Sequence, residues 1–162
     1  MAAKQDFTTD EWTKLIQSSM LASMAITAAE PSGLWGMLKE GFANASGLVH
    51  GKDAGVPLIT AIVTEMTTSE GRTIARDGLK ASMSGAKSPE VVDRSLAALK
   101  EVAGILDTKA GADGAPFKQW LYKTAERVAE ASTEGGFLGF GGVKVSEHEK
   151  ATLAQIASAL RI

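Results

Sequence analysis

A chain of 162 residues, 44% of them hydrophobic, is long enough to bury one sizeable core, and one all-α domain spanning 1–162 is the expectation. Lys and Arg number 17 and Asp and Glu 19, a formal net charge of -2, so there is no whole-molecule field to draw in the phosphates of nucleic acid. The absence of cysteine excludes disulfides, a thiol nucleophile and thiolate metal sites and agrees with a reducing compartment. Met1 to Phe7 lacks the apolar stretch of a signal peptide, and no apolar run approaches the roughly 20 residues of a transmembrane helix, so a cytoplasmic location is the default expectation.

The first helix is expected from Thr8, where Thr8-x-x-Glu11 has the form of a capping box, to about Ala29. Trp12, Leu15, Ile16, Met20, Ser23 and Ile26 recur along it at helical spacing and predict one buried stripe. Glu30-Pro31-Ser32-Gly33 breaks it, Leu34 to Ala45 has a second helical pattern, and Asn44 to Val56 has loop composition. Leu58, Ile59, Ile62, Val63 and Met66 form a further stripe. Thr67-x-x-Glu70 is a second candidate box, opening a helix through Ile74 and Leu79 toward Met83, with Gly71 as either a kink or a break.

The next start has Ser88 as N-cap, Pro89 at the first helical position and Glu90 near the positive helix end. Val92, Leu96, Leu99, Val102, Ala103 and Leu106 follow as its core face. Gly111 to Gly114 ends it, Phe117, Trp120, Leu121, Ala125 and Val128 mark another helix, and Ser146-x-x-Glu149 caps a last one carrying Leu153, Ile156, Ala157 and Leu160. No strand-length alternation occurs between turn signals. The expectation is a compact bundle of six to seven mostly antiparallel helices with a Gly-rich loop before the last.

That loop, Glu134 to Ser146, carries five glycines together with Phe137, Leu138, Phe140 and Lys144. Glycines ahead of a helix N-terminus can present backbone N–H groups to a phosphate. Val143 and Val145 interrupt the contiguous Gly-Lys-Ser that a P-loop needs, and no strand precedes the loop. Phe137, Leu138 and Phe140 form either an exposed apolar tip for a partner or a plug folded onto the end of the bundle. The segment from Ala28 to Gly36 echoes that from Ala131 to Gly139, with the acids Glu30 and Glu134 one position out of step.

Carboxylates at helix ends (Glu30, Glu134, Glu147 and Glu149) are the oxygen ligands a hard divalent cation would take, and the same acids serve equally as caps and dipole partners. His148 lies between Glu147 and Glu149 without completing His-Glu-x-x-His, and His50 has no ligand spacing beside it. Glu70, Arg72, Arg76 and Asp77 can hold an anion through guanidinium contacts or pair along one helix face. No Ser-His-Asp arrangement or nucleophile elbow can be assembled, so catalysis has little support.

Arg127 to Gly135, followed by Ser146 to Ala157, resembles the second half of the TerB-like helical domain associated with tellurite resistance: an Ala-rich helix end, an acid followed by glycine, then an acid-rich turn into a helix with a Leu-Ile stripe. The likeness covers about a quarter of the chain. It implies an all-α bundle of two similar halves and a stress-linked or scaffolding role. It also implies a divalent-metal role for Glu134 and Glu149, with Glu30 as the corresponding acid of the first half. This chain has Glu where the family usually has Asp, and a longer loop.

The leading expectation is a non-enzymatic module that binds a protein partner through Phe137, Leu138 and Phe140. The alternatives are a calcium or magnesium sensor using Glu30, Glu134 and Glu149, and a small-molecule binder or enzyme using Glu30, Arg72 or Glu134 in an inter-helix pocket.

Overall fold

A computed structural model describes residues 2–29, 55–134 and 145–162. Among them are six α-helices and no strand: α1 (Thr9–Ala29), α2 (Pro57–Thr67), α3 (Ser69–Ser82), α4 (Ser88–Lys109), α5 (Gly114–Glu134) and α6 (Glu147–Leu160). Short 3-10 turns cover Lys4–Asp6 and Gly111–Asp113. This is the expected all-α bundle; the helical pattern from Leu34 to Ala45 and the Gly-rich loop from 135 to 144 lie outside the described residues.

Helix starts follow the local chemistry closely, with two shifts of one residue. Thr8 and Glu11 close a reciprocal box, the Thr8 N–H donating to Glu11 Oε2 at 2.7 Å and the Glu11 N–H to Thr8 Oγ1 at 3.2 Å. Phe7, just before the cap, packs on Trp12 in the first turn with ring centroids 5.8 Å apart, a hydrophobic staple that fixes the entry of the chain. The second predicted box moves: Thr67 ends α2, and Thr68 caps α3 by accepting from the Gly71 N–H at 2.9 Å. The two helices part at Thr68, and Gly71, already inside α3, lets the corner close, since a Cβ there would lie 2.1 Å from the Glu65 carbonyl oxygen. At α4 the cap is Lys87 and Ser88 is already helical, while Glu90 still accepts from the Lys87 N–H at 2.8 Å.

Ion pairs between helices show their relative directions. Glu11 with Lys109 at 2.6 Å and Lys14 with Glu101 at 3.1 Å run α1 antiparallel to α4. Asp107 pairs with Lys118 and, at 2.8 Å, with Arg161, so α5 folds back along α4 and the C-terminal ends of α4 and α6 meet. These four helices touch one another in every combination, and α2 and α3 pack on α1 from the outside.

The core runs through all of them, with Leu15, Ile26, Leu58, Ile62, Leu99, Leu106, Phe117, Leu121 and Ile156 fully buried. Helix α1 departs from its predicted single stripe: every residue from Leu21 to Ala28 is buried, while Met20 is only half-buried. Its Ser, Thr and Ala positions are small enough to let neighbours close on all sides, as a helix without a strongly polar face requires. On α4 the face rotates slightly, since Val91 and Ser95 are buried where Val92 and Leu96 are half-buried.

Candidate functional site

The antiparallel order brings the end of α1, the end of α5, and the starts of α4 and α6 to one end of the bundle. Glu149 sits there at the head of α6. Its carboxylate accepts from the Ser146 N–H at 2.9 Å while the Ser146 hydroxyl accepts from the Glu149 N–H at 3.1 Å, so the predicted box forms. Glu149 is 1% exposed. Glu147 and His148 are exposed beside it. Glu147 pairs with Lys150 at 2.7 Å, and that ammonium holds its carboxyl below the usual range.

Of the other acids nominated with Glu149, Glu134 is the last residue of α5, and Glu30 lies outside the described residues. So do His50, Phe137, Leu138 and Phe140. Among the described residues no group of three or more His, Cys, Asp or Glu side chains is placed to hold a metal.

The arginine-rich stretch lies on α3 as exposed polar surface. Arg72 Nη1 donates to the Thr67 carbonyl at 2.8 Å, closing the α2–α3 corner, and Arg76 pairs with its neighbour Asp77 at 3.1 Å. The two guanidiniums do not act as one fork on this geometry, since each is directed to its own acceptor.

The opposite end of the bundle holds a polar network that the sequence did not reveal. The Lys118 side chain is 8% exposed and pairs with Asp107, and the buried Asp113 carboxylate accepts from the Ala2 N–H at 3.0 Å. Lys118 foremost, then Arg161, holds the Asp107 carboxyl below its ordinary range. Lys109, with the Thr8 N–H, does the same for Glu11. Acids satisfied in this way tie helix ends together and offer no raised carboxyl for proton transfer.

A cleft of about 330 Å³ opens between α1, the end of α3 and α4. It is lined by Leu21, Met83, Ala98 and Val102, with Lys14, Gln17, Arg94 and Glu101 as its polar groups. Of these the sequence marked only Val102, as a core position, and Met83, as a helix end; the one local signal of a cleft is Gly78, whose missing side chain leaves the space that Gln17 occupies.

Comparison of the chain with protein-family models, with curated proteins and with solved structures finds no match to any of them. What stands is the class: an all-α helical bundle, in which no described helix is long and apolar enough to cross a membrane.

Proposed function

We propose that the protein is a non-enzymatic, TerB-like binding module of the cytoplasm that engages a protein partner through the end of the bundle where α1 and α5 stop and α6 starts. The observation that carries this reading is topological. Helix α5 ends and α6 begins at the end of the bundle where α1 also stops, and the sequence between α5 and α6 contains Phe137, Leu138 and Phe140. In the sequence these apolar residues follow the acid Glu134, and that composition suits an apolar contact with a polar rim. Satisfied carboxylates and the absence of any hydrogen bond from a serine to His148 among the described residues support a binding role over a catalytic one.

The same convergence favours a second reading, a calcium or magnesium sensor in which Glu30 and Glu134 approach Glu149. The two separate in one experiment, the thermal midpoint of the metal-stripped protein with and without millimolar calcium, magnesium, manganese or zinc. A rise with one ion that disappears in Glu134→Gln establishes a native-state metal site by linkage and favours the sensor. No rise with any ion favours the partner module, for which a Phe137→Ser/Phe140→Ser double variant should lose a captured protein at an unchanged midpoint.

A further inference from the structure

The cleft between α1, α3 and α4 lies partway along α1, and its polar groups differ in how far they are already satisfied. Lys14 is closed between Asp10 at 2.8 Å and Glu101 at 3.1 Å. Arg94 is not matched in this way. Its Nη1 donates to the carbonyls of Ser82 at 2.9 Å and Ser84 at 3.3 Å, and among the described residues no carboxylate pairs with it. A guanidinium whose acceptors are neutral carbonyls keeps its net charge and has further N–H donors to offer.

Gln17 supplies a second available group. Half-buried Gln17 places its carboxamide over Gly78, where a Cβ would come within 1.9 Å of Nε2, and among the described residues it has no hydrogen-bond partner. An amide with open donors and acceptor and an uncompensated cation therefore border a cleft whose remaining surface is mainly Leu21, Met83, Ala97, Ala98 and Val102. The volume, about 330 Å³, is at the small end of the range for ligand pockets, so the occupant is small.

We infer that this cleft binds a small amphipathic anion, a carboxylate on a medium-length apolar chain. The chain covers Leu21, Ala98 and Val102, and the carboxylate takes the free donors of Arg94 and the Gln17 amide. The neutral alcohol of the same length gains the apolar contact without the charge-assisted hydrogen bonds. An amine of that length meets Arg94 as a like charge.

The test is an amide-resolved NMR titration of the full chain with octanoate, alongside octanol and octylamine. Saturable shifts confined to 14–21, 78–83 and 94–102, at least tenfold weaker with octanol and absent with octylamine, are the expected result. Ala97→Trp, which fills the cleft from an exposed position, should abolish the octanoate shifts. Arg94→Gln should weaken binding by at least fivefold, with Arg94→Lys recovering part of it, so that lost charge is distinguished from a disturbed α3–α4 turn. Equal binding of octanol and octanoate, shifts scattered over the surface, or no saturation overturns the proposal.

Discussion

Three glycines show how the same substitution has opposite consequences in different surroundings. At Gly71 a Cβ would lie 2.1 Å from a backbone oxygen that cannot withdraw, so Gly71→Ala should force the α2–α3 corner apart and cost more than about 2 kcal/mol. At Gly78 the obstacle is the end of the Gln17 side chain, which can swing aside, and the loss should be smaller. Gly104 lies within α4 with nothing within 4 Å of its added Cβ, so Gly104→Ala should stabilise by about 0.5–1 kcal/mol, because alanine restricts the unfolded chain. Ser95 is fully buried with a hydroxyl that has no hydrogen-bond partner among the described residues, and Ser95→Ala should likewise be neutral or stabilising. Chemical denaturation of the four variants checks these signs together.

At the scale of elements, the fold depends on how each helix begins and where its ends are tied. Ser146→Ala removes a hydroxyl that caps α6 and should cost about 1 kcal/mol, whereas Ser88→Ala should cost little, since Lys87 occupies the cap of α4. Comparing the denaturation midpoints of these two variants separates a side-chain cap from a serine that merely begins a helix.

Ion pairs at both ends of the bundle make stability depend on pH. Glu11, Asp107 and Glu147 all have carboxyls held below their unfolded values, by Lys109, Lys118 and Lys150 in turn. Their contribution is complete above the ordinary carboxylate range and is lost as pH falls through the lowered folded values. The melting temperature should thus fall below about pH 4. Asp107→Asn should have a lower melting temperature at pH 7 and a shallower decline in acid, since it leaves the buried Lys118 ammonium without its partner at every pH.

For the whole molecule, α1 is the axis on which the other helices assemble. Ala22 and Ala25 are completely buried, and each is small because a neighbouring helix closes over it. Ala22→Leu or Ala25→Leu should therefore destabilise by about 1–3 kcal/mol through overpacking, in spite of leucine's good helix propensity. Substituting the half-buried Met20 with leucine should cost less, and calorimetry of the three variants distinguishes a helix surrounded on all sides from one with a free face.

Local rules explain what was legible in advance. The boxes at Thr8 and Ser146, the five-residue stripe of α2 and the glycine break before α5 each depend on residues a few positions apart, and such spacing is written directly in the sequence. The shift at Thr68 arose where adjacent threonines offered competing caps, whereas Lys87 makes no side-chain cap hydrogen bond and α4 opens on the Glu90 carboxylate that accepts from its N–H.

An all-α bundle and most boundaries of the described helices can be read from the sequence, in local spacing and capping chemistry. Tertiary packing is what buries α1 on every side from Leu21 to Ala28, joins Lys118 to Arg161 through Asp107, and sets Gln17 and Arg94 on one cleft. Helical periodicity reports which side chains share a face within one element. It carries no record of which distant helix that face will meet, and Glu11 finds Lys109, 98 positions away, only once the bundle has closed.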